Sequence, residues 1–135
     1  MGKVQILAVL TMDGCLSSEL YDKAHQDLCL DRCGLDEIRK KALYCVTPDY
    51  SISMLHEWRK DCTNIRYLAE ATPDTADYIN GLLRMHAVDE IILYTVPFIS
   101  GSGRHFFKSA LPEQHWTLSS LKSYPNGVCR IIYIL

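Results

Sequence analysis

The chain has 135 residues, of which 48% are hydrophobic and 22% charged, and its formal net charge is −2. That is enough chain to bury a core within one domain, residues 1–135, and too apolar a composition for a disordered segment. The near-neutral balance gives no electrostatic reason to bind nucleic acid, and no apolar run approaches the length that spans a bilayer.

Residues 5–12 (QILAVLTM) read as a buried strand, halted by an Asp13-Gly14 turn. The chain thus starts in a strand pattern instead of a signal peptide, and a cytoplasmic protein is expected. Ser17 or Ser18 can cap a helix from Glu19, with Leu20, Ala24 and Leu28 along one face. Gly34 stops that helix or separates it from a short second one, whose apolar face is Leu35, Ile38 and Ala42. Residues 43–47 (LYCVT) form the next strand, before Pro48. Ser51 or Ser53 caps a helix with Met54, Leu55 and Trp58 facing inward and Asn64 at its close, and residues 65–68 give a short third strand.

The following junction, residues 69–75, carries the most chemistry. Thr72 suits an N-cap, Pro73 the first helical position, and Asp74 the first turn, where a carboxylate complements the helix dipole. The helix is expected to reach about His86, with Ala76, Ile79, Leu82 and Leu83 buried. Helix starts of this kind, after a strand, commonly hold phosphates. Residues 91–96 are continuously apolar or β-branched, as in a strand covered on both faces, and Pro97 ends it. Ser100-Gly101-Ser102-Gly103 then offers backbone free to take φ > 0 and approach a ligand, and Phe106-Phe107 pack the loop's return. Residues 116–123 form a strand, Asn126-Gly127 predicts a type I′ hairpin turn, and residues 128–135 form the returning strand. That last strand is apolar on both faces, so it must lie inside a sheet or against a partner chain, and a homodimer is expected.

Six cysteines (15, 29, 33, 45, 62 and 129) include one close pair, Cys29-x-x-x-Cys33, with no second pair or histidine at metal-ligand spacing, so no metal site is expected. Cys45 and Cys129 fall in apolar strands and read as small buried residues in a reduced protein. No Ser-His-Asp, Cys-His, HExxH or P-loop pattern is present.

Asp89-Glu90, the strand after it, Pro97, Gly101-x-Gly103, Phe106-Phe107 and the final hairpin together resemble the closing segment of the riboflavin-biosynthesis reductase domain, within the dihydrofolate-reductase-like superfamily. Residues 8–14 (AVLTMDG) resemble the opening strand and turn of the same superfamily. The resemblance is good over residues 88–135, fair over 5–16 and weak between. It implies an α/β fold: a mixed sheet of six or seven strands, flanked by three or four helices and ending in an antiparallel hairpin. It also implies NADPH, contacted by Ala8, Ala71, Thr72, Thr75, Gly101 and Gly103, and a small-molecule substrate of pyrimidine-riboside or pterin type beside Thr11 and Gly14. Hydride transfer needs little beyond positioning and a proton source. Asp13 would be the catalytic carboxylate, with Glu19 and Asp22 next, and Arg104 and His105 could meet an anionic ligand.

Two departures stand out. Relatives carry Gly-Gly where this chain has Ala71-Thr72, and a Cβ there crowds a pyrophosphate that must touch backbone. Asp74 and Asp77 add like charge: a carboxylate about 4 Å from a phosphate costs roughly 1 kcal/mol in water and about 4 near a protein surface. The middle is also short, without the Gly-Arg-x-Thr-like motif for the adenosine end. The other reading is therefore a shortened, non-catalytic member that serves as a homodimeric scaffold or small-ligand binder.

Overall fold

The computed structural model describes residues 2–16, 34–42, 44–60, 64–97, 99, 101, 104–108 and 111–135. The helix expected from Glu19 lies outside them, as do Asp22, Cys29, Cys33, Cys62 and Gly103. Among the described residues, eight strands and three helices follow in the order β1 (Lys3–Leu10), β2 (Cys15–Leu16), α1 (Leu35–Lys41), β3 (Tyr44–Cys45), α2 (Ile52–Lys60), β4 (Arg66–Glu70), α3 (Ala76–Arg84), β5 (Glu90–Thr95), β6 (Arg104–His105), β7 (Thr117–Ser123) and β8 (Cys129–Ile134). Six strands form one mixed sheet in the order β3-β4-β1-β5-β8-β7, and β2 pairs with β6 in a separate ladder. The β3, β4, β1 and β5 strands run parallel, whereas β8 is antiparallel to both β5 and β7. This is the α/β architecture expected from the sequence.

Strand periodicity decides which helix each face receives. Val4, Ile6, Ala8 and Leu10 of β1 join Tyr67, Ala69 and Ile91 on one face, packed against Leu55 of α2, Ile79 and Leu82 of α3, and Phe106. Leu7, Val9, Leu68, Ile92 and Tyr94 form the other face, against Ile38 of α1 and its neighbour Ala42. Leu55 and Leu82 are wholly shielded, each contributing about 1.5–3 kcal/mol before entropy is counted. Burial on both faces explains why β1 and β5 read as unbroken apolar runs. An ion pair closes the bottom of the sheet: the Arg59 guanidinium of α2 donates from two nitrogens to the Asp89 carboxylate, which also takes the Val4 N–H. Among the described residues no helix is long and apolar enough to cross a membrane.

Local expectations meet mixed outcomes. Ser51 caps α2 through the Met54 N–H at 3.2 Å. Met54 itself is 42% exposed, because Ile52, Leu55 and Trp58 already share the inward stripe and Met54 is rotated off it. Gly34, at φ +84, opens α1. The strand expected over residues 43–47 is two residues long at the sheet edge, so Cys45 is exposed; Cys129 is half-buried near the hairpin. The hairpin forms, but not with a type I′ turn. Gly127 N–H donates to the Tyr124 carbonyl and Tyr124 N–H to the Val128 carbonyl, so Pro125 and Asn126 hold the central positions. Gly127 takes φ +89 and Asn126 does not have positive φ. Proline fixes φ negative at the first central position, which excludes the mirror-image turn and leaves Gly127 as the left-handed bulge residue.

Candidate functional site

The sheet topology marks one place for a ligand. From β1 the chain moves outward on one side, toward β3 and β4, then crosses β1 to place β5 on its other flank. The crevice at the carboxyl ends of β4, β1 and β5 is thus the switch point of the parallel part of the sheet, where α/β folds bind small molecules.

At the end of β1, Thr11 is 2% exposed and organises the turn. Its hydroxyl donates to Asp13 Oδ1 and accepts the Cys15 N–H at 3.0 Å, while Thr11 N–H donates to the Cys15 carbonyl at 3.1 Å. Gly14 takes φ +76, a backbone state that a side chain would strain, and donates to the Thr11 carbonyl at 3.0 Å. The other Asp13 oxygen accepts the Gly101 N–H at 3.1 Å. The Asp-Gly turn and the glycine loop, about ninety residues apart in sequence, are thereby joined through one half-buried carboxylate. Gly101 has φ +72, and among the described residues nothing lies within 4 Å of where its Cβ would stand. Phe106 N–H donates to the Gly14 carbonyl at 3.1 Å, so the return of that loop is bound to the same turn.

The β2–β6 ladder beside this turn sets Cys15 opposite His105, with Sγ 3.9 Å from Nδ1. No motif in the chain pairs these two residues, since ninety positions separate them; only the antiparallel ladder does. Asn80 is equally invisible in the helix pattern. It is fully buried, and its amide nitrogen donates to the carbonyls of Ala76 at 2.8 Å and Phe106 at 2.7 Å while its oxygen accepts the Lys108 N–H at 3.0 Å. A polar residue on the inward stripe, one position after Ile79, is the signal that could have found it.

The strand-to-helix junction lies at the neighbouring strand end. Ala71 is 1% exposed and its N–H donates to the Leu7 carbonyl at 2.7 Å, which extends the β1–β4 pairing. Thr72 N–H donates to Thr75 Oγ1 at 2.8 Å, and Thr75 N–H donates back to Thr72 Oγ1 at 3.2 Å. This is a reciprocal capping box with threonine in place of the usual glutamate, one turn ahead of the regular helix. The Thr75 hydroxyl also donates to the Glu70 carbonyl at 2.9 Å. The amides of residues 71, 72 and 75 therefore all have protein partners. Ala8 is 1% exposed in mid-strand, paired with Leu93. A cavity of about 50 Å³ between the junction and β6 is bordered by Pro73, Asp77, His105 and Lys108.

Of the residues expected at the site, the fold brings Thr11, Asp13, Gly14 and Gly101 into one hydrogen-bonded group, and Ala71, Thr72 and Thr75 into a second at the adjacent strand end. Ala8 lies beneath them within the sheet. No protein-family model matches the chain, and no protein of curated function matches it either. Solved structures do. A protein assigned to riboflavin biosynthesis from Shewanella sp. PV-4 aligns with TM-score 0.63 at 11% identity, covering 98% of each chain. RibD of Acinetobacter baumannii aligns with TM-score 0.56 at 13% identity over 99% of this chain and 58% of that one. The riboflavin biosynthesis reductase Rib7 of Saccharomyces cerevisiae gives TM-score 0.50 at 14% identity, covering 99% of this chain and 88% of its own. By backbone architecture, from the parallel core to the closing hairpin, the chain has the fold of the riboflavin-biosynthesis reductase domain.

Proposed function

We propose that this chain is a single-domain cytoplasmic reductase of the riboflavin-biosynthesis type, using NADPH to reduce a pyrimidine-riboside or pterin-like small molecule. The observation that carries this reading is the clamp at the strand ends, where Asp13 ties the Asp-Gly turn to Gly101. Both elements that the resemblance assigns to nicotinamide and substrate meet there, at the switch point of the sheet. In this reading Asp13 orients the turn and holds the proton that the reduced product takes up, while Thr11 and Gly14 border the substrate.

The pyrophosphate end of NADPH does not fit the junction as it stands. A phosphate oxygen at residues 71, 72 or 75 would have to displace the Leu7 carbonyl or open the capping box. Asp74 and Asp77 are exposed on the same side and repel it. That observation favours the second reading, a non-catalytic member of the same fold acting as a homodimeric scaffold or small-ligand binder. The dimer has its own support. The register slips by one residue between Leu118 and Ser120, so Leu118 and Leu121 both share the face of Ile131 and Tyr133. They are 53% and 63% exposed on the edge strand.

Titrating the purified protein with NADPH, followed by nicotinamide fluorescence and thermal melting with NADH as control, separates the two. A cofactor at a hundred times its Kd stabilises the fold by about 2.7 kcal/mol, a readily visible shift. Saturable binding selects the reductase. No shift at millimolar NADPH, with Ala71→Gly/Thr72→Gly/Asp74→Ser equally silent, selects the scaffold.

A further inference from the structure

On the face opposite α2 and α3, a cleft of about 170 Å³ opens between α1 and the sheet. It is separate from the strand-end site: Lys41 of α1 and Gln5, Arg66 and Glu90 of the strands line it together with Arg130 of β8. We propose that this cleft binds a small oxyanion, of the phosphate-ester or carboxylate class, seated on Arg130.

Three observations carry the assignment. The first is Arg130, which is half-buried and whose Nε is closed off from solvent with no hydrogen-bond partner among the described residues. A guanidinium is charged at any physiological pH, and among the described residues no carboxylate is paired with this one, so its terminal nitrogens, rather than the closed-off Nε, are the groups an anion in the cleft would meet. The second is the arrangement of neighbouring charge. Lys41, Arg66 and Arg130 face two carboxylates, Glu37 and Glu90, and Glu90 already accepts the Gln5 amide at 2.8 Å. Gln5 itself is 3% exposed, a polar side chain held within the sheet at the floor of the cleft. The third is Gly34. A Cβ there would come 3.3 Å from Arg130 Nη1, so the bare backbone lets the guanidinium lie close over the cleft wall. An oxyanion can take two parallel N–H bonds from the planar fork, with Lys41 and Arg66 adding attraction. The volume suits a phosphate or a short carboxylic acid and excludes a dinucleotide.

The test is a titration of the whole protein with inorganic phosphate and, separately, acetate, read by melting temperature and by the arginine side-chain NMR signals. Saturable stabilisation is expected, with the Arg130 Nε–H signal moving and Arg130→Gln binding at least about tenfold more weakly, whereas Arg84→Gln binds as the parent does. Preference for phosphate or acetate assigns the class. An identical response in Arg130→Gln, or shifts confined to the amides of residues 71–76, would overturn the proposal. If Arg130→Gln does not fold, Arg130→Lys keeps the charge but loses the fork. The signals of the unmodified protein then decide, and an unmoved Arg130 signal at saturating phosphate rejects the site. That outcome is independent of NADPH binding at the strand ends.

Discussion

Replacing Asn80 by alanine removes a side chain that no ligand touches in the proposed reading, yet the consequence should reach the candidate site. Asn80 supplies a donor to the Phe106 carbonyl and an acceptor for the Lys108 N–H, and Phe106 in turn donates to the Gly14 carbonyl. The substitution strands two backbone groups. Phe106 is wholly buried, so its carbonyl carries an unmet-acceptor cost of about 1–3 kcal/mol, while Lys108 is half-buried and water can partly replace its partner, at about 1 kcal/mol. Alanine recovers about 0.5 kcal/mol through helix propensity, and the vacated volume costs about 1 kcal/mol. The net expectation is a loss of about 2.5–4.5 kcal/mol. Urea unfolding should show a lower midpoint with an unchanged slope, and amide exchange should quicken at Lys108 and Phe106 before it does in β1 or β5. A loss under about 1 kcal/mol, or unchanged exchange at Lys108, would refute the claim that Asn80 fastens this segment.

Three further outcomes are expected. His86 closes α3 at φ +54, with its own N–H on the Leu83 carbonyl and the Ala87 N–H on the Leu82 carbonyl, a position usually given to glycine. His86→Gly should raise stability by about 0.5–1 kcal/mol, and a fall in Tm would count against it. The Tyr78 hydroxyl donates to the Tyr50 carbonyl at 2.7 Å, and burial pushes its pKa above the ordinary 10.0. Below pH 10 it is neutral folded and unfolded and the contribution is whole; above that the unfolded chain ionises first, so stability falls as pH rises. Tyr78→Phe should flatten this alkaline decline in a melting series, and an unchanged slope would exclude the residue as its source. Finally, Leu121→Lys should turn a sedimenting dimer into a folded monomer; a parent protein that sediments as a monomer at every concentration would dismiss the interface.

The sequence by itself determined the elements whose patterns are dictated by burial on both faces or by local backbone chemistry. β1 and β5 were legible because central parallel strands admit no polar alternation, and α3 because Ala76, Ile79, Leu82 and Leu83 repeat at helical spacing. Thr72 and Pro73 were legible because capping is a contact between near neighbours in the chain. The Asp-Gly turn and the glycine loop could each be named, but not their meeting: the Asp13 to Gly101 bond spans 88 positions. Separation in sequence likewise hid the Cys15–His105 pair, 90 positions apart, the Asn80 clamp, which spans 26 and 28 positions, and the cleft beneath α1. The hairpin turn was instead a local matter: Pro125, next to Asn126-Gly127, takes the first central position and fixes φ negative, which excludes the mirror-image turn. That Ala71 and Thr72 would spend their amides on Leu7 and Thr75 was decided only when β4 paired with β1 and the junction closed on itself. Hydrogen bonds between distant residues have no periodic signature, so this part of the site belongs to the tertiary structure alone.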